Sequence, residues 1–127
     1  MGAQYLIDTN VVIDFFNGRL PLSGQRLLAA TAPAISVITQ IELFSKARLT
    51  PEEIMQLEKF VQVATVYDTI TPAIVAQTIN LRVQHKIKTP DAIIAATALV
   101  YGLELLTRNL ADFEAIAGLK TTDPHRL

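Results

Sequence analysis

Four carboxylates stand where apolar runs give way to helical spacing. Asp8 closes Tyr5-Leu6-Ile7-Asp8-Thr9-Asn10, and Glu42 lies inside Ser36-Val37-Ile38-Thr39-Gln40-Ile41-Glu42-Leu43. Asp91 opens Asp91-Ala92-Ile93-Ile94-Ala95-Ala96, and Asp112 follows in Thr107-Arg108-Asn109-Leu110-Ala111-Asp112-Phe113. Each acid has an ordinary explanation. Asp8 can cap a helix beginning near Asn10. Glu42 precedes Lys46 by one helical turn, a favourable surface pair. Asp91 suits the positive end of a helix dipole, and Asp112 can answer an Asn109 cap. Jointly they ask for more. The chain has 12 acidic residues, and four would meet at one place. Glu42 and Asp91 also sit among apolar neighbours, where clustered carboxylates need a cation or shared protons. There is no cysteine, and the two histidines, His85 and His125, are not usefully placed as ligands. An all-oxygen donor set suits Mg²⁺ or Mn²⁺ over Zn²⁺. Such an ion lowers the pKa of bound water and neutralises charge on phosphate, so phosphodiester hydrolysis is the natural chemistry.

The elements that must position these acids alternate along the chain. Strands are expected at Tyr5–Ile7, Ala34–Ile35, Thr65–Ile70, Leu103–Thr107 and, weakly, Leu119–Thr122. Thr50-Pro51-Glu52-Glu53 reads as a capping box with proline at the first helical position, and Thr71-Pro72 and Thr89-Pro90-Asp91 open two further helices. Alternating strands and helices predict an α/β fold of three layers, α/β/α, around a central, mostly parallel sheet of four to five strands. Right-handed crossovers then align the carboxyl ends of the strands along one edge, where α/β folds hold their ligands.

With 127 residues, one domain spanning 1–127 is expected. An apolar fraction of 50% against 18% charged residues excludes disorder, and a net charge of −1 excludes a strongly basic nucleic-acid coat. The longest apolar stretch, Ala92 to Leu103, is broken by Thr97 and is too short to span a bilayer. The start of the chain lacks a basic, then apolar, leader pattern. A soluble cytoplasmic protein without a membrane partner is the expectation.

At the four acids the sequence resembles the PIN-domain family, and within it the VapC-type toxin ribonucleases of type II toxin–antitoxin systems. Asp8-Thr9-Asn10 with Val11-Val12-Ile13, Ser36 to Leu43, Asp91 to Ala98, and Thr107-Arg108-Asn109 with Asp112-Phe113 come in the family's order and at family-like spacing. The resemblance implies a PIN-like domain with metal-dependent endoribonuclease activity on RNA. Asp8, Glu42, Asp91 and Asp112 would be its catalytic cluster, holding one or two Mg²⁺ or Mn²⁺ ions. It also implies a homodimer and a cognate antitoxin protein that blocks the site. Thr9, Asn10 and Thr107 match supporting positions; Asp112 is taken as the fourth acid, with Asn109 positioning water or phosphate. Many members have glycine four residues after the glutamate, where this chain has Lys46.

Arg82, Lys86 and Lys88 form the densest basic stretch and lead into Asp91, with Arg108 approaching from the other side. They can guide an RNA backbone, or serve as ordinary surface charge. Phe15, Phe16, Phe44 and Phe60 read as core, groove or dimer surface, His85 as a residue at a helix end, and the segment around His125 as frayed. Two other functions compete. A catalytically inactive PIN-like module would bind RNA or protein without cutting. A phosphoacceptor signalling domain would need an acid pair after the first strand and a lysine near the last, and Asp8, Asp68 and Lys120 fit that pattern poorly.

Overall fold

In a computed structural model, which describes residues 4–127, five short parallel strands carry the architecture. β1 (Tyr5–Ile7), β4 (Glu104–Leu106) and β5 (Thr121–Thr122) form one ladder with β4 in the middle. Leu6 lies opposite Leu105, and Leu106 opposite Thr122. β2 (Ala34–Ser36) and β3 (Thr65–Tyr67) form a second parallel pair, with Ile35 opposite Val66. β2 packs beside β1, although no hydrogen-bonded ladder joins them among the described residues. The expected central sheet is therefore present as three strands plus two. The third strand ends at Tyr67, short of the expected Ile70; residues 68–70 are exposed and irregular, and the Thr69 hydroxyl donates to Asp68 Oδ1 at 3.3 Å.

Strand side chains alternate between two buried faces, as parallel sheets covered on both sides require. Leu6, Ala34 and Leu105 point into a core built with α5 (Pro72–Gln84), α6 (Thr89–Tyr101) and α7 (Leu110–Phe113). Ile7, Ile35 and Leu106 point the other way, toward α1 (Thr9–Phe16), α2 (Leu22–Ala30), α3 (Val37–Phe44) and α4 (Pro51–Val63). These six strand residues are essentially without solvent exposure. Burial of each large aliphatic side chain is worth about 2 kcal/mol, so both helical layers are held by the same three-residue strands.

The helix ends follow local chemistry. Thr50 and Glu53 complete the expected capping box of α4, and Thr71 caps α5 through the Ile74 amide. α6 begins one residue earlier than Thr89-as-cap would give: Lys88 is the cap residue and makes no side-chain bond. Gly102 ends α6 at φ 66°, in the left-handed region that a β-carbon disfavours. The C-terminal segment corrects the expectation of fraying. Pro124–Arg126 form a 3₁₀ turn seated on α2, and the Ser23 hydroxyl donates to the Leu127 carbonyl at 2.9 Å. No helix among the described residues is long and apolar enough to cross a membrane.

Candidate active site

Because the strands are parallel, β1, β2 and β4 release the chain at the same edge. Asp8 leaves β1 in extended conformation (φ −69°, ψ 152°) and caps α1. Its Oδ1 accepts the Thr9 amide at 2.8 Å, while Oδ2 accepts the Thr107 hydroxyl at 2.8 Å and the Asn10 side-chain amide at 3.2 Å. Thr107 directly follows β4, is completely buried, and accepts the Asn109 amide at 3.0 Å. Asp8 is 4% exposed. Burial pushes its carboxyl up to about 6 from 3.8; the bonds from Thr107 and Thr9 oppose this, and the charges of Asp91 and Glu42 add to it.

Glu42 lies in the second half of α3, which starts at the end of β2 with Ser36 as its cap. The Thr9 hydroxyl donates to Glu42 Oε1 at 2.6 Å and shares a 3.0 Å hydrogen bond with the Thr39 hydroxyl. Glu42 is exposed, as the surface reading of it expects, but among the described residues no ion pair joins it to Lys46. Thr39 is completely buried and was not picked out from sequence. Its signal is a hydroxyl one turn before the glutamate on a mostly apolar helix.

Asp91 occupies the first turn of α6, half-buried. Burial raises its carboxyl above the usual carboxylate range, Glu42 and Asp112 raise it further, and Lys88 opposes them. Asp112, exposed on α7, lines one cleft with Asp91, Lys86, Ile87 and Lys88. Asn109 caps α7 without a side-chain bond, so the reciprocal-cap explanation of Asp112 also fails. The four acids are thus coupled through their charges. Among the described residues no three acidic or histidine side chains close into a ready ligand set. A hard divalent ion that keeps several of its waters would take only one or two carboxylates directly. The donors are all anionic oxygen, and their mutual repulsion is what a cation would relieve.

The basic residues divide. Lys86 and Lys88 face the cleft. Arg82 gives its Nε to the Ile87 carbonyl at 3.2 Å, bracing the loop before Lys88. Arg108 Nη1 contacts both oxygens of Asp14, at 3.0 and 2.9 Å, while its side chain remains half exposed. His85 closes α5, as its position at a helix end implied. Phe16 packs edge-to-face against Phe15 and Phe60 in a partly open apolar groove that also includes Val63 and Lys59.

The family model for the PIN domain matches residues 5–119. The chain is 34% identical to one from a toxin–antitoxin complex of Klebsiella pneumoniae, with a TM-score of 0.78 over 94% of this chain and 97% of that one. It is 26% identical to a chain of DNA-bound VapBC from Salmonella typhimurium, with a TM-score of 0.78 and coverage of 97% and 99%. VapBC2 from Rickettsia felis, bound to a DNA fragment from its promoter, is similar at 25% identity, a TM-score of 0.77, and coverage of 93% and 96%. No curated protein matches the chain.

Proposed function

The chain belongs to the PIN-domain family, and from that premise we propose that it is a Mg²⁺- or Mn²⁺-dependent endoribonuclease, the cytoplasmic toxin of a toxin–antitoxin pair. PIN domains are generally nucleases that use divalent ions. The observation that supports this reading best is Asp8: a buried carboxylate with three donors fixed on it, next to two further acids that raise its proton affinity. A purely structural cap would not be placed beside like charge.

In this reading Asp8 and Asp91 hold one or two ions, Glu42 and Asp112 complete the acidic cluster, and the ion supplies an activated water and neutralises charge on the phosphate. Thr107, Asn10 and the Thr9 amide fix the plane and reach of the Asp8 carboxylate. The Thr9 hydroxyl holds Glu42 against the start of α1, next to Asp8. Lys86 and Lys88, on the lip of the Asp91–Asp112 cleft, contact RNA phosphates and keep the backbone beside the acids. Asn109, the cap residue of α7, would position water or phosphate with its side chain.

Two partners accompany the reading. The relatives named above were solved as toxin–antitoxin complexes, and the apolar groove of Phe15, Phe16, Phe60 and Val63 offers a surface for an antitoxin segment. A second copy of the chain accounts for α5, whose Val75, Ile79 and Val83 recur every fourth residue and are exposed at 45%, 60% and 79%. The test of the activity is incubation of purified protein with a pool of folded and single-stranded RNAs, with Mn²⁺ or EDTA, beside Asp8→Asn. Discrete cleavage that needs metal and is lost in the variant is the expected result. RNA retained but uncut by the metal-loaded wild type would replace the nuclease with a binding module.

A further inference from the structure

Asp14 is an acid that the site described above does not use. It lies in α1, six residues beyond Asp8, and is 1% exposed. A carboxylate so deeply buried must be paired, and its partners come from two distant places. Arg108 Nη1 bonds both its oxygens, and His125 Nε2 lies 2.9 Å from Oδ2. Arg108 stands between Thr107, whose hydroxyl reaches Asp8, and Asn109, whose amide reaches Thr107. The Arg108 amide also faces Asn10 Oδ1 at 3.4 Å, and Asn10 is itself a donor to Asp8. His125 belongs to the 3₁₀ turn on α2. There the fit is close: a β-carbon on Gly24 would come within 2.4 Å of the Pro124 carbonyl oxygen. An unbroken chain of contacts therefore runs from α2, through the C-terminal turn, Asp14 and Arg108, to the Asp8 carboxylate.

We propose that Asp14 is a positioning residue: through Arg108 it sets the turn 107–109 that aims the Thr107 hydroxyl at Asp8, and the C-terminal turn, through His125, holds Asp14 in place. Stability alone does not call for this arrangement, since a buried ion pair is commonly matched or bettered by apolar residues of the same shape. The half-exposed Arg108 guanidinium, moreover, has solvent available to it. What the pair adds is a fixed geometry. The consequence for metal and RNA rests on the nuclease reading; the geometric claim does not.

The test uses the full chain in two states. In EDTA, hydrogen exchange of the Thr107 and Asn109 amides is followed by NMR in wild type, Asp14→Asn, Arg108→Ala and the double variant. Exchange at those two amides is expected to rise at least tenfold in each single variant, with amides of α5 and α6 unchanged and the double variant no worse than either single one. Gly24→Ala, which changes no charge, is expected to raise the same two amides by displacing the turn, and it decides the matter should Asp14→Asn not fold. With Mn²⁺ followed by calorimetry, the variants are expected to bind about 10- to 100-fold more weakly, as loss of orienting partners does. Unchanged exchange at Thr107 and Asn109, or a uniform rise across the molecule, overturns the positioning role. A wild type that binds no Mn²⁺ and cuts no RNA overturns the nuclease reading instead, and leaves the exchange result to decide Asp14.

Discussion

Asp8→Asn is expected to stabilise the metal-free protein at neutral pH. Burial lifts the Asp8 carboxyl from 3.8 to about 6, so the folded state holds the proton more tightly than the unfolded chain. The resulting stability is fully present below pH 3.8 and is lost as pH rises through about 6. At 1.36 kcal/mol per unit, ionising this group in the folded protein costs about 3 kcal/mol above pH 7. Asparagine avoids that cost. It keeps an acceptor for the Thr9 amide, and Thr107 can turn its hydroxyl to accept, but the bond from Asn10 is lost for about 1 kcal/mol. A net gain of about 1–2 kcal/mol remains, which raises Tm by roughly 4–8 °C in a chain of this length. The assay is thermal unfolding in EDTA at pH 7.5 and again near pH 4.5, where the advantage should vanish. Saturating Mn²⁺ should then reverse the order, because ligand at about 100 times its Kd stabilises the wild type by about 2.7 kcal/mol and the variant lacks the carboxylate. A folded Asp8→Asn no more stable than wild type at pH 7.5 in EDTA would refute the electrostatic account of the site.

Thr107→Val keeps the shape of a fully buried residue while removing the donor to Asp8 and the acceptor of the Asn109 amide. It is expected to cost about 1–3 kcal/mol in denaturant unfolding and to weaken Mn²⁺ about 10- to 100-fold by calorimetry; undiminished affinity would remove Thr107 from the site. Lys86→Glu with Lys88→Glu should make the slope of log affinity for single-stranded RNA against log salt shallower by about 1.4, at roughly 0.7 per lost phosphate contact. An unchanged slope would mean that the cleft lip does not meet the backbone. Ile79→Asp places a charge in the middle of the exposed α5 stripe, and light scattering should find the variant monomeric where wild type is a dimer. A monomeric wild type would dispose of the dimer.

The strands and helices are legible because their signals are local: short β-branched or apolar runs, Thr-Pro starts and a glycine after α6 are read without knowing what lies across the sheet. So was the convergence of Asp8, Glu42 and Asp91, since parallel strands leave one edge for their carboxyl ends. The fraying expected around His125 failed for a reason no local pattern records. The turn is held by an absent β-carbon at Gly24 and by Asp14, 111 residues earlier. Asp14 itself was passed over because an acid within Val11-Val12-Ile13-Asp14-Phe15-Phe16 announces only that something must pair with it. Its partner Arg108, 94 residues away, reads in sequence as a cation for RNA or as ordinary surface charge. Thr39 escaped in the same way, as its role depends on where α1 delivers Thr9.

Asp8 also shows why an ordinary reading and a functional one need not compete. A helix cap requires one oxygen, and Oδ1 alone satisfies the Thr9 amide. Oδ2 carries two further donors from separate segments, Asn10 and Thr107, which the cap does not need. Burial and the neighbouring acids disfavour the ionised form, while the bonds from Thr107 and Thr9 favour it. A fold selected for stability alone would drop either the neighbouring acids or the carboxylate. Keeping both holds an anion at fixed geometry in surroundings that resist its charge, the condition under which binding a cation gains most. The cap places the group on rigid backbone, and the same residue then serves the site without a separate scaffold.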